Sequence, residues 1–100
     1  MLLFFQELRL SAGKALSIIA YNNSPKQYEI KMLGGISYSL YEDIIESDDE
    51  MQICKACFQI IILARVFNDR DQVWITALGV TKLVNLLKSS DDEVIIQTGR

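Results

Sequence analysis

The sequence predicts an all-α fold: a helical solenoid of about two repeats with truncated ends. Three observations predict it. The apolar residues recur at helical spacing over long segments. Four-residue strings of one kind appear twice, with Ser47-Asp48-Asp49-Glu50 repeated as Ser90-Asp91-Asp92-Glu93, 43 residues later. Flanking residues repeat at nearly that interval, since Ala12 matches Ala56 and Ala20 matches Ala64 at a separation of 44, and Gly34 matches Gly79 at 45. A fixed period of this size marks stacked helical units that share one continuous core.

Taken in order, "LRLSAGKALSIIA" carries Leu8, Ala12, Ala15, Leu16 and Ile19 at i, i+3, i+4 positions, and a helix is expected over about 6–21. Pro25 and the Gly34-Gly35 pair then break the chain, leaving a short helix over about 26–33 and another over about 36–46. "MQICKACFQIIILARVF" carries Met51, Ile53, Ala56, Ile60, Leu63 and Phe67 with the same period. The "IIIL" run alone reads equally as a buried strand, but its continuous periodic setting argues for a long helix over about 48–66. Gly79 separates two further helices, about 70–78 and 80–88. In both copies of the repeated string, serine precedes an apolar pattern and glutamate follows three residues on, which is the form of a capping box. The intervening aspartates sit where a helix dipole favours negative charge. A calcium loop needs alternating acidic ligands and a turn glycine, and neither is present.

Composition narrows the function. The chain has 100 residues, 10 basic and 13 acidic, for a net charge of −3, and half its residues are hydrophobic. Its mean hydropathy is +0.18. Nucleic acid is not an expected partner, because phosphate binding needs clustered Lys and Arg. There is no histidine, which removes Ser-His-Asp and Cys-His catalysis and most catalytic zinc sites. No catalytic residue, metal site or cofactor is expected, and the chain does not read as an enzyme. "MLLFF" lacks the basic start, length and cleavage site of a signal peptide, and no apolar run approaches a membrane span, so no membrane partner is expected. With two cysteines and no leader, the expected location is intracellular, the cytoplasm first and the nucleus second.

The repeat resembles the armadillo family from about Leu8 to Gly99, with the HEAT repeat as the near alternative. "GVTKLVNLLKSSDDEV" is similar to that family's second helix, "AGKALSIIAYNN" to its third, and Gly34-Gly35 and Gly79 stand where the family turns between its first two helices. The resemblance implies a right-handed solenoid with a partial repeat over 1–34, a complete repeat over 35–79 and a partial repeat over 80–100. It also implies a non-catalytic protein-protein interaction scaffold or adaptor, whose third helices line a concave groove for a protein or peptide partner. In the importin-α type, Trp and Asn recur on that ridge. Here the Trp positions hold Lys14 and Phe58, and the Asn positions hold Ile18 and Ile62. Isoleucine cannot hydrogen-bond a peptide backbone, so nuclear-localisation-signal binding is not carried over. Lys14, Ile18, Phe58 and Ile62 remain the candidate protein-binding ridge, suited to a helical or apolar ligand. The plainer reading is that Phe58 and Ile62 only pack against neighbouring repeats, in a structural segment with no ligand of its own.

Three other features carry an expectation. "CKAC" puts Cys54 and Cys57 at the spacing of a thiol redox pair or half a zinc site, but without histidine or a second pair buried structural cysteine is the expectation. Glu42, Asp43, Glu46, Asp48, Asp49 and Glu50 form an acidic window, either a docking patch or a solvated helix end. Trp74 is either a surface anchor or a wedge between repeats. Apolar residues near both ends, Leu2, Leu3, Phe4, Phe5 and Leu8, then Val84, Leu87, Val94, Ile95 and Ile96, predict self-association through exposed repeat ends.

Overall fold

A computed structural model describes residues 2–97 of the chain, with side chains from 5 to 89. Five α-helices follow one another: α1 Leu2–Ala20, α2 Ser24–Met32, α3 Ser39–Ile45, α4 Glu50–Ile62 and α5 Gln72–Gln97, with a 3-10 turn at Ala64–Val66 before α5. The described residues form no strand; Ile36 and Phe67 make one isolated parallel bridge.

Local chemistry sets most of the boundaries. Asn23 caps α2 by accepting from the Lys26 amide at 3.2 Å, and Pro25 sits in the first turn, where its missing N–H costs nothing. Pro25 therefore starts a helix. The end of α2 is a Schellman motif: the Gly34 amide donates to Lys31 O and the Gly35 amide to Ile30 O, both at 3.0 Å. Gly34 and Gly35 have φ of 113° and 67°, the left-handed region that other residues enter at a cost. The chain then runs extended through Ile36, whose amide and carbonyl bond Val66 O and the Asn68 amide at 3.0 and 2.9 Å. That pairing delays α3 to Ser39, later than the sequence pattern suggests.

The start of α4 differs from the expected capping box. Asp49 is the N-cap, accepting from the Gln52 amide at 3.1 Å, whereas the Ser47 hydroxyl donates back to Ile44 O at 2.7 Å and closes α3. Asp49→Ala is expected to cost about 1 kcal/mol and Ser47→Ala only a few tenths. Denaturant midpoints of the two variants check this; a larger loss for Ser47→Ala would restore serine as the cap. At the second copy of the string the backbone of α5 simply continues as helix through 90–93, and the side chains there lie outside the described ones.

A second correction concerns Gly79. The expected break is absent, and the single helix α5 runs from Gln72 through Gly79 and past residue 88. The reason is packing. A Cβ on Gly79 would stand 2.7 Å from Ile61 Cγ1 and 3.2 Å from the Cys57 carbonyl oxygen, so glycine is there to let α5 approach α4. No proline follows to stop the helix, and one interior glycine costs only about 1 kcal/mol.

The core lies between α3, α4, α5 and the 3-10 turn, with Ile44, Ile60, Leu63, Val66 and Ile75 at 0–1% exposure. In α4 and the following turn Ile53, Ala56, Ile60, Leu63 and Phe67 are buried as expected, while Met51 is exposed. In α1 the period holds but the face is different. The buried face is Leu10, Gly13, Ser17 and Ala20, and Leu8, Ala12, Ala15 and Ile19 point outward. Arg9 donates to Asp43 at 2.9 Å and to Leu40 O at 3.0 Å, while Gly13 abuts Tyr41. These contacts seat the middle of α1 against α3. The short α3–α4 connection makes those two antiparallel, and Tyr41 meets Gln59 across them. Gln59 also reaches Leu10, so α1 and α4 lie side by side.

Across the core, Asp69 closes the start of α3 from a distant loop. Its carboxylate accepts the Tyr38 amide at 3.0 Å and the Ser37 hydroxyl at 2.9 Å. The Tyr38 amide is the main cause holding the Asp69 carboxyl below the usual range, with Ser37 and Arg70 adding to it. The unfolded chain thus binds more protons here, so this contribution is present above the ordinary carboxylate pKa and is lost as pH falls through the lower folded value. Wild type should lose more stability than Asp69→Asn does as pH falls below the ordinary carboxylate range, as read by urea midpoints; parallel curves would remove Asp69 from the balance.

Candidate functional site

The four ridge residues come together. α1 and α4 leave between them an open groove of about 1040 Å³ whose walls include Lys14 and Ile18 from α1 and Phe58 and Ile62 from α4. Ile18 is 69% and Phe58 59% exposed, large values for apolar side chains in contact with a concave surface. Residues 14 and 18 are one turn apart, as are 58 and 62, so each pair projects from one helix face. The spacing of α1 to α4 is fixed underneath by a buried polar bridge. Gln59 donates to Leu10 O at 2.7 Å and accepts the Tyr41 hydroxyl at 2.8 Å. Ser17 is satisfied within α1 by Gly13 O at 2.7 Å. Burial pushes the Tyr41 phenol up to about 12.

Other residues that line the groove were not singled out from the sequence. Glu7, Ser11 and Tyr21 extend the α1 wall, and Gln52, Lys55 and Ile61 the α4 wall. The signal for them is helical spacing: 52, 55, 58 and 62 fall on one face, as do 7, 11, 14, 18 and 21. The side-chain Oε1 of Gln52 is buried with no hydrogen-bond partner, in a residue that is 8% exposed.

The remaining candidates lie elsewhere. Cys54 and Cys57 are both reduced on α4, one exposed and one buried, so the expectation of burial holds for Cys57 and not for Cys54. Burial pushes the Cys57 thiol up against the opposing pull of Lys82, which keeps it protonated and poorly nucleophilic. Among the described residues, no three of His, Cys, Asp or Glu gather as a metal site. Two members of the acidic window have structural duties, Asp43 with Arg9 and Asp49 as the α4 cap. Trp74 stacks edge-on against Tyr38 at 5.3 Å, with the Arg70 guanidinium 5.5 Å from both ring centres. It joins α5 to the start of α3 and remains 46% exposed. Among the described residues, no helix is long and apolar enough to cross a membrane. Of the end residues, Leu8, Val84 and Leu87 are exposed, whereas the side chains of Leu2, Leu3, Phe4, Val94, Ile95 and Ile96 lie outside the described ones.

Comparison with known proteins adds the relatives. The chain is 39% identical over 94 residues to an ankyrin and armadillo repeat-containing protein of Homo sapiens, and 35% identical over 94 residues to the protein of that name in Mus musculus. The match takes in 94% of this chain in each case but only 7% and 6% of the relatives' lengths. No family model matches the chain. No solved structure matches it either. The likeness is therefore to a short segment of much longer proteins.

Proposed function

We propose, from homology to a segment of ankyrin and armadillo repeat-containing proteins, that this chain is a non-catalytic protein-interaction module of an armadillo-type right-handed solenoid, serving a scaffold or adaptor. On this reading repeat boundaries fall near residues 34 and 79, and the groove between α1 and α4 receives a protein or peptide partner. The observation that carries the reading is the convergence of Lys14, Ile18, Phe58 and Ile62 on one open groove in which Ile18 and Phe58 stay exposed and Ile62 is half-buried. Burying such side chains is worth about 25 cal/mol per Å² before the cost of association, so leaving them bare has a use only if something covers them. Solvent-exposed Leu8, Ile19, Val84 and Leu87 offer further stacking surfaces for neighbouring solenoid units or a second copy.

The test is a pull-down that compares wild type with Phe58→Ala/Ile62→Asp. Both side chains project from α4 without filling the core, so the variant should fold, which circular dichroism checks. Selective loss of partners is expected. Equal recovery of the same partners by both proteins would leave the chain as a solenoid segment with no ligand at this face.

A further inference from the structure

The segment between α4 and α5 contains Arg65, Asp69, Arg70 and Asp71 within seven residues. The fold pins it against the end of α2. Asn68 donates its side-chain amide to Gly34 O at 2.8 Å, and Ile36 bonds both Val66 O and the Asn68 amide. That pairing brings Lys31, in the last turn of α2, to the same open pocket as Arg65 and Arg70, a hollow of about 460 Å³. None of its lining residues belongs to the groove between α1 and α4. In a chain of net charge −3, cations from three separate elements therefore line one hollow.

Asp69 and Asp71 line it as well, and both carboxylates already have partners. Asp69 accepts the Tyr38 amide at 3.0 Å and the Ser37 hydroxyl at 2.9 Å, at the start of α3. Asp71 accepts the Val73 and Trp74 amides at 2.9 and 3.3 Å, at the start of α5. Each thus meets the positive end of a helix, which offsets part of its charge. The cations are placed differently. Arg70 is held in position: its Nη1 donates to Asp69 O at 2.9 Å and stands 3.8 Å from the Asp69 carboxylate, and its guanidinium lies 5.5 Å from the Tyr38 and Trp74 ring centres. A guanidinium has five N–H donors, so others stay open. Lys31 and Arg65 are exposed and enter no side-chain hydrogen bond or ion pair among the described residues.

We infer that Lys31, Arg65 and Arg70 form a binding site for a phosphate dianion, free or carried as a monoester. A phosphate monoester bears a charge of about −1.5 to −2 at pH 7 and presents three acceptor oxygens, so each cation can meet one of them. A carboxylate has one charge and two oxygens, which a single arginine fork satisfies, leaving the other two cations unused. The planar forks of Arg65 and Arg70 suit phosphate oxygens, and Lys31 adds a point charge on the opposite element. The nearby carboxylates and the exposure of the cations set the expected affinity in the millimolar range.

The experiment follows backbone amide shifts of the 100-residue chain by heteronuclear NMR. The probes are N-acetyl phosphoserine amide, N-acetyl glutamate amide, N-acetyl serine amide and inorganic phosphate. Phosphoserine should move the amides of residues 65–72 and bind about tenfold more tightly than glutamate, and the serine probe should not saturate. Lys31→Gln/Arg65→Gln should lose about tenfold in phosphoserine affinity, the scale of two exposed ion pairs. Neither side chain holds another, so the variant should keep its circular dichroism spectrum. Arg65→Lys should lose less than Arg65→Gln, and added salt should weaken binding to wild type. Inorganic phosphate that binds as tightly as phosphoserine would support the site with a small free phosphate as its source; tighter phosphoserine would support it with a phosphorylated side chain. Equal affinity for phosphoserine and glutamate overturns the inference. So does an affinity unchanged in the double variant, or a set of shifts centred on the groove between α1 and α4, which would give the anion to Lys14 and Lys55.

Discussion

Gly13→Ala is expected to destabilise the fold by about 2 kcal/mol, although the same change on an open helix face would stabilise it by about 1 kcal/mol. The sign turns on where the new methyl goes. A Cβ at Gly13 runs into the Tyr41 hydroxyl and the Gln59 side-chain oxygen, two atoms hydrogen-bonded to each other at 2.8 Å. Neither can step aside cheaply, with Tyr41 at 3% and Gln59 at 4% exposure. Either α1 lifts off α4, or the hydrogen bond opens beneath it. Overpacking of this kind costs about 1–3 kcal/mol, and a parted buried pair about 1–3 kcal/mol more. Set against the propensity gain, the loss still dominates. Lifting α1 also widens the groove above. Urea unfolding of the variant gives the answer, and a midpoint equal to or above wild type would mean that α1 and α4 are held apart at this point.

The same glycine explains part of what the sequence could and could not reveal. Helical period is written in apolar side chains, so α1 and α4 were legible, and α2 followed from the breaks at Pro25 and Gly34-Gly35. Which face of α1 is buried was not, because Gly13, Ser17 and Ala20 make close approach through small size and register only weakly as apolar. Gly34 and Gly79 look alike in the repeat, yet one supplies positive φ at a Schellman turn and the other supplies room for Ile61. A sequence gives the residue without saying which of its two uses applies. At the start of α4, serine and both aspartates are competent caps, and only the path of the backbone selects Asp49. The groove residues were reachable through the family's ridge positions, and Gln52 and Lys55 follow from helical spacing once the face is chosen. The Tyr38–Arg70–Trp74 cluster was out of reach, because it joins residues more than 30 positions apart, across an α3–α5 contact that periodicity does not encode.

Gln59→Leu is expected to cost about 3 kcal/mol, despite replacing a polar side chain by an apolar one of similar size in a buried place. The amide holds both neighbours: its nitrogen donates to Leu10 O at 2.7 Å, and its oxygen accepts from Tyr41 at 2.8 Å. Leucine leaves a buried carbonyl and a buried hydroxyl unpaired, and each such group costs about 1–3 kcal/mol. Tyr41→Phe removes one of the two orphans in advance. The double variant should therefore lose less than the two single losses added together, a coupling that a double-mutant cycle reads directly. Were the losses simply to add, the hydrogen bond would be contributing nothing. Alkali provides a second view of the same bridge. Burial raises the Tyr41 phenol from 10.0 to about 12 in the folded chain. Its neutral form is thus favoured by folding, and the contribution is whole below pH 10 and is lost as pH rises from there towards about 12, at up to about 1.4 kcal/mol per pH unit. Tyr41→Phe has no phenol to ionise, so the stability difference between it and wild type should shift steadily across that window. A constant difference would mean that Tyr41 reaches solvent, and that the bridge between α1, α3 and α4 is open.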